Sequence, residues 1–198
     1  MKAEKINGTA VPYDKSTDEL ELMLIGGNMS DFAAACEALS YKTDEKAFKV
    51  LKGYINDKDK YKRLCILKTV FRHPASVQLK AFLEDSIMSD DIYFSQNGLK
   101  NAYDCHFSIS DEIILGAVQK HLSQLYCTYL YALENLSVNE ENFKALISLF
   151  KKSESCSQKE VLCDILCEKY LPEKEDILFS LFSSDKFSKI RKRLNEGH

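Results

Sequence analysis

The sequence predicts an all-α fold, an alpha-alpha superhelix of about five antiparallel helix pairs, on three observations. Apolar residues recur at i, i+3, i+4 and i+7 along most of the chain. Only 7 Gly and 3 Pro occur in 198 residues, too few for a fold made of many short strands and turns. Two apolar columns also advance in steps of 33 residues, the period of stacked helical hairpins. With 45% hydrophobic and 29% charged residues, the chain has the apolar content to bury its own core and does not read as disordered.

Residues 1–16 lack periodicity and read as an irregular lead-in, and a single helical repeat domain is expected over 17–196. In "LIGGNMSD" the Gly pair ends a first short helix, and Ser30 is the expected cap of the next. The pair follows no strand and precedes no Gly-Lys-Ser/Thr, so it is no phosphate loop. Ala47, Val50, Leu51 and Tyr54 share a helical face after Thr43-Asp44, and a helix over about 58–72 follows. Leu79, Phe82, Leu83 and Ile87 form the next face after the helix-starting Pro74, and 91–105 reads as its successor. Ile114, Ala117 and Val118 follow Ser110-Asp111, and 124–136 is expected to be helical. Phe143, Leu146, Ile147 and Phe150 line one face behind Asn139, Glu140 and Glu141, which supply a cap and charges favoured by the helix dipole. Helices over about 157–170, 173–182 and 185–195 complete the chain. The links are short and polar, so neighbouring helices should run antiparallel.

The first column is Ala33, Ile66, Leu99, Ala132 and Ile165; the second is Val50, Leu83, Gly116, Leu149 and Phe182. Each unit would be a helix pair that needs its neighbours to cover its apolar faces, which gives a right-handed stack of hairpins. A finer spacing recurs inside it. Asp57 stands six residues before Arg63 and nine before Ile66, and Asp185 stands six before Arg191 and nine before Leu194. An intermediate copy keeps Asp90 and Leu99 but has Gln96 in place of the Arg, and the units beginning near Ser123 and Cys156 lack both residues.

This pattern resembles the HEAT-repeat family of armadillo-type alpha solenoids. The resemblance implies that Asp57 and Asp185 cap helices and that Arg63 and Arg191 reach toward the turn of a neighbouring repeat. The ankyrin Thr-Pro-Leu-His signature and the tetratricopeptide pattern are absent. The resemblance implies a non-catalytic scaffold or adaptor that binds a protein or peptide on the face built by the second helix of each pair. Lys49, Lys52, Lys80, Glu84 and Lys120 interrupt those faces and are the candidate groove residues. In "LYCTYLYALENL", Tyr126, Tyr129 and Tyr131 cannot all share one face; core packing is expected to take two, leaving an exposed tyrosine as a partner anchor.

Some HEAT-like proteins are DNA glycosylases for alkylated bases, so a DNA-binding or alkylation-repair protein is the alternative reading. The chain has no Trp, a net charge of −3, a pI near 5.9 and basic residues that alternate with acidic ones, which argues against nucleic acid. The five Lys/Arg of "SSDKFSKIRKRLNEGH" read as the end of a last, incomplete repeat, placed to favour the helix dipole. Modification of a cofactor-carrying protein, as in HEAT-like chromophore lyases, rests on fold analogy alone.

No catalytic constellation, cofactor or metal is expected. Cys163 and Cys167 sit at i and i+4, but two thiols do not make a structural zinc site. Cys105 and His106 are adjacent and therefore point about 100° apart on a helix, which is no nucleophile and base. His121 reads as a hydrogen-bonded, half-buried side chain, and His73 as part of an inter-helix turn. Seven scattered cysteines suit reduced thiols, and there is no secretory signal or membrane-length apolar run, so a cytoplasmic protein away from the membrane is expected.

Overall fold

A computed structural model describes residues 4–73, 77–105, 107–171 and 173–182. The described residues are overwhelmingly helical, with one small hairpin. Pro74, His106, Asp185, Arg191, Leu194 and the closing helix expected over 185–195 lie outside them. The chain divides into two compact units, Met1–Ser86 and Ile87–His198, within the span that the sequence reads as one repeat domain.

The first unit opens on a hairpin, β1 (Lys5–Ile6) and β2 (Thr9–Ala10), with Lys5 paired to Ala10 and Ile6 to Thr9. Asn7 and Gly8 between them have φ of 49° and 87°. That is the left-handed pair a two-residue hairpin turn requires and the reason Asn-Gly forms it. A helix α1 (Thr17–Gly26) follows, its N-terminus closed by reciprocal Ser16 and Glu19 bonds. It stops at the Gly pair as expected. A Cβ on Gly27 would stand 2.5 Å from the Met23 carbonyl, so only glycine fits that close approach.

The cap of α2 (Met29–Ser40) is Asn28, not Ser30: its side chain accepts from the backbone N–H of Ser30 and Asp31. Asn28 lies two residues upstream of the expected cap because its carbonyl reaches N2 and N3 from outside the helix. Phe32 through Ser40 are all buried. Four alanines there let α1, α3 (Glu45–Lys52) and α4 (Lys60–Thr69) close on α2 from several sides. Asp44 caps α3 as the sequence suggests. A 3-10 turn, Val70–Arg72, ends α4, and α5 (Val77–Met88) holds the boundary between the units.

In the second unit α6 (Ile92–Asp104), a 3-10 segment Cys127–Asn135 and α9 (Cys156–Tyr170) pack successively against one another. The helices α7 (Asp111–His121), α8 (Glu140–Lys152) and α10 (Glu175–Leu181) flank them. On α6, Ser95 Oγ donates to the Ile87 carbonyl at 2.9 Å, and a Cβ on Gly98, near the helix middle, would come within 2.9 Å of the Ile87 nitrogen.

The helix expected over 124–136 is instead 3-10. Leu130, Leu133 and Leu136 sit at three-residue spacing and are all buried, which matches a turn of three residues rather than 3.6. Tyr126 starts the segment without a side-chain cap, which leaves an α-helical start unsupported.

Every residue of the first 33-residue column is buried. The second column is mixed: Leu83, Leu149 and Phe182 are buried, Val50 is half-buried and Gly116 is exposed. Side-chain bonds between helices fall at a similar spacing. Arg72 reaches Glu37 and Ser40, and His73 Nε2 lies 3.3 Å from the Leu39 carbonyl. In the second unit Lys120 donates to the Met88 carbonyl, Asn135 to Ala102, Lys169 to Leu136 and Gln158 to both Leu122 and Leu125. Most of these donors meet carbonyls at helix C-termini, where four backbone acceptors lack partners within the helix.

Candidate functional site

The candidate site lies within the first unit, where α1 and α3 leave an open groove of about 770 Å³ lined by Glu21, Glu45, Lys46, Lys49, Val50, Gly53 and Tyr54. The sequence builds it simply. Asp18, Glu21, Leu22 and Ile25 share the outer stripe of α1, while Leu20 and Leu24 are buried on the opposite side. On α3, Ala47 and Leu51 anchor the helix in the core and turn Lys46, Lys49 and Val50 toward the groove. Lys46 pairs with Asp18 and, at 3.3 Å, with Glu21, which raises its pKa by hydrogen bonding and spans the groove's wall.

Tyr54 closes one end. Its ring meets Phe32 edge-on at 5.3 Å, and Lys62 Nζ stands 5.8 Å from its centroid and 5.2 Å from that of Phe32. Burial pushes the Tyr54 phenol pKa up, with Asp57 adding to the effect, so the hydroxyl stays neutral and able to donate. Lys49 is exposed and has no ion-pair partner among the described residues.

Charge in this region is not evenly mixed, contrary to the alternation read from the sequence. Residues 42–72 hold ten Lys/Arg against four Asp/Glu, a net +6 inside a chain of net −3. The asymmetry was legible in a windowed charge count, which a whole-chain total hides.

The other expected partner-binding residues have local duties. Lys52 lies over the Phe48 ring, Lys80 and Glu84 pair with each other along α5, and Lys120 is held by Asp90 and the Met88 carbonyl. Tyr126 is exposed and Tyr129 and Tyr131 are half-buried, one left outside as expected and two packed less deeply than core residues. Tyr126 is 71% exposed with its ring 6.5 Å from Tyr129, and half-buried Tyr131 lies 6.0 Å from Tyr103. The eclipsed i, i+3 positions of a 3-10 segment bring Tyr126 and Tyr129 together.

Of the repeat-motif residues, Asp57 and Arg63 are the described ones. Asp59, not Asp57, caps α4, while Asp57 accepts from the Asp59 N–H and Arg63 donates back to the Asp57 carbonyl at 3.0 Å. Arg63 thus braces the turn that starts its own helix. His121 is buried with Nε2 3.0 Å from the Ser89 carbonyl, as a satisfied histidine should be. Cys163 and Cys167 Sγ lie 3.8 Å apart, and no group of three or more metal-ligating side chains forms among the described residues. Nor is any helix among those residues long and apolar enough to cross a membrane. No family model, curated protein or solved structure matches the chain.

Proposed function

We propose that this chain is a non-catalytic scaffold of HEAT-like helix pairs that binds a protein or peptide. The observation that carries the reading is the recurrence of side-chain bonds between helices at separations of 31 to 36 residues in both units, beside a fully buried 33-residue column. Such spacing suits helix pairs that cover one another's apolar faces in series and leave grooves and edges for partners.

The side chains with displaced pKa values favour the same reading. Burial lowers those of His73 and Lys169 and raises those of Cys36 and Tyr170. His73, Lys169 and Tyr170 each meet a backbone carbonyl on another helix or turn, a structural duty. The test is capture of partners from nuclease-treated lysate by the tagged chain at low and high salt. A specific protein retained at both supports the scaffold.

The basic stretch 42–72 gives the DNA-binding reading its one specific support. That reading gains if only nucleic-acid-associated material is retained and this retention disappears at high salt or after nuclease.

A further inference from the structure

We infer that the α1–α3 groove takes an acidic, amphipathic segment of a partner protein, an assignment that rests on the scaffold reading above. Charge complementarity argues for it. Lys49 lines the groove without an ion pair among the described residues, Lys62 lies 5.8 Å from the ring of the lining Tyr54, and residues 42–72 carry the net +6. Lys46 is already held by Asp18 and Glu21, so Lys49 is the lining cation without an ion pair among the described residues.

Two features favour a peptide over a phosphodiester chain. Glu21 and Glu45 also line the groove. They would repel a backbone charged at every unit, whereas a peptide can place its carboxylates at Lys49 and its donors opposite the glutamates. On the same stripe of α1 as Glu21, Leu22 and Ile25 are 67% and 70% exposed and offer apolar contact that phosphate cannot use. The occupant is therefore a segment with Asp or Glu on one face and aliphatic side chains on the other.

The experiment is fluorescence anisotropy of the full chain with three labelled probes of equal length. They are a helix-forming peptide of Glu and Leu, its Lys and Leu counterpart, and a single-stranded DNA. The Glu peptide should bind best, Lys49→Glu should weaken it about tenfold, and Lys49→Arg should retain it. Leu22→Ser with Ile25→Ser should weaken it at high salt as well as at low, the mark of an apolar contact. Thermal melts of each variant confirm that it is folded. Equal or tighter binding of the Lys peptide or the DNA overturns the inference, as does a Glu-peptide affinity that Lys49→Glu leaves unchanged. Failure of all three probes while a lysate protein is still captured at both salts sinks this inference alone; failure of that capture sinks the scaffold as well.

Discussion

Glu37 is a carboxylate only 8% exposed, and the side chain that makes this tolerable is Arg72, 2.6 Å away and also bonded to Ser40. The Arg72 guanidinium lies 4.5 Å from the centre of the Tyr41 ring, so one residue serves a charge, a hydroxyl and an aromatic face. Arg72→Ala should cost about 1–3 kcal/mol in urea unfolding, less than a fully buried pair because the arginine is partly solvated. Arg72→Lys should recover only part of it, since an ammonium cannot lie against the Tyr41 ring as the planar guanidinium does. His73 beside it gives a pH signature. Burial holds its imidazole below the usual value, so the folded state prefers the neutral ring while the unfolded chain takes up a proton near pH 6.5. Stability should therefore fall as pH drops from about 6.5 toward the lower folded pKa, with no further loss from this group below it. Urea midpoints of wild type and His73→Gln between neutral and mildly acidic pH should converge as the pH falls. Equal slopes would remove this account.

At the scale of elements, α6 approaches Ile87 closely at Gly98, a contact that the sequence does not announce. Gly98→Ala should destabilise by about 1–3 kcal/mol, although alanine is the better helix former by about 1 kcal/mol. A raised melting temperature would contradict the close packing seen at Ile87. Gln158 offers a second test. Its amide nitrogen donates to the Leu122 and Leu125 carbonyls at 2.8 and 2.7 Å, both bonds buried. Gln158→Ala strands two acceptors and should cost about 2–3 kcal/mol by denaturant titration, and Gln158→Glu at neutral pH should cost more because it buries a charge.

These elements also mark what the sequence could and could not disclose. Helices with a cap and a 3.6-residue apolar face, such as α3 and α8, were legible because both signals are local. The 3-10 segment was not read as such: its leucines repeat every three residues, a pattern that differs from 3.6 by too little over nine residues to separate by eye. The hairpin turn did carry a local signal, Asn7-Gly8, outside the helical periodicity that marks the rest of the chain. Lys49 was legible as an interruption of an apolar face. The groove itself was not, because it needs Glu21 on α1 and Tyr54 after α3, residues that only tertiary packing brings beside Lys49.

For the whole molecule, the two 33-residue columns have different weights. Ile66, Leu99 and Ile165 are fully or almost fully buried, and each substitution to Ala should cost about 2–5 kcal/mol. Val50 lines an open groove, and Gly116 has nothing within 4 Å of the place its Cβ would take. Val50→Ala should change stability by under about 1 kcal/mol, and Gly116→Ala should raise it by up to about 1 kcal/mol. A common scale of losses at both columns, measured by thermal unfolding, would show that the second column also forms core.

The spacing of the ties between helices also bears on how the chain reaches this fold. A bond such as Asn135 to Ala102 closes a loop of 33 residues, and the pair from Gln158 spans no more than 36. Loop-closure entropy grows only as about (3/2)RT ln n, so each successive tie costs nearly the same and none waits for distant segments to meet. These ties span short stretches of chain, so refolding of each unit should be faster than that of an all-β domain of the same size, as read by stopped-flow fluorescence. Within each unit, such a tie can form as soon as the helix that carries it has been synthesised.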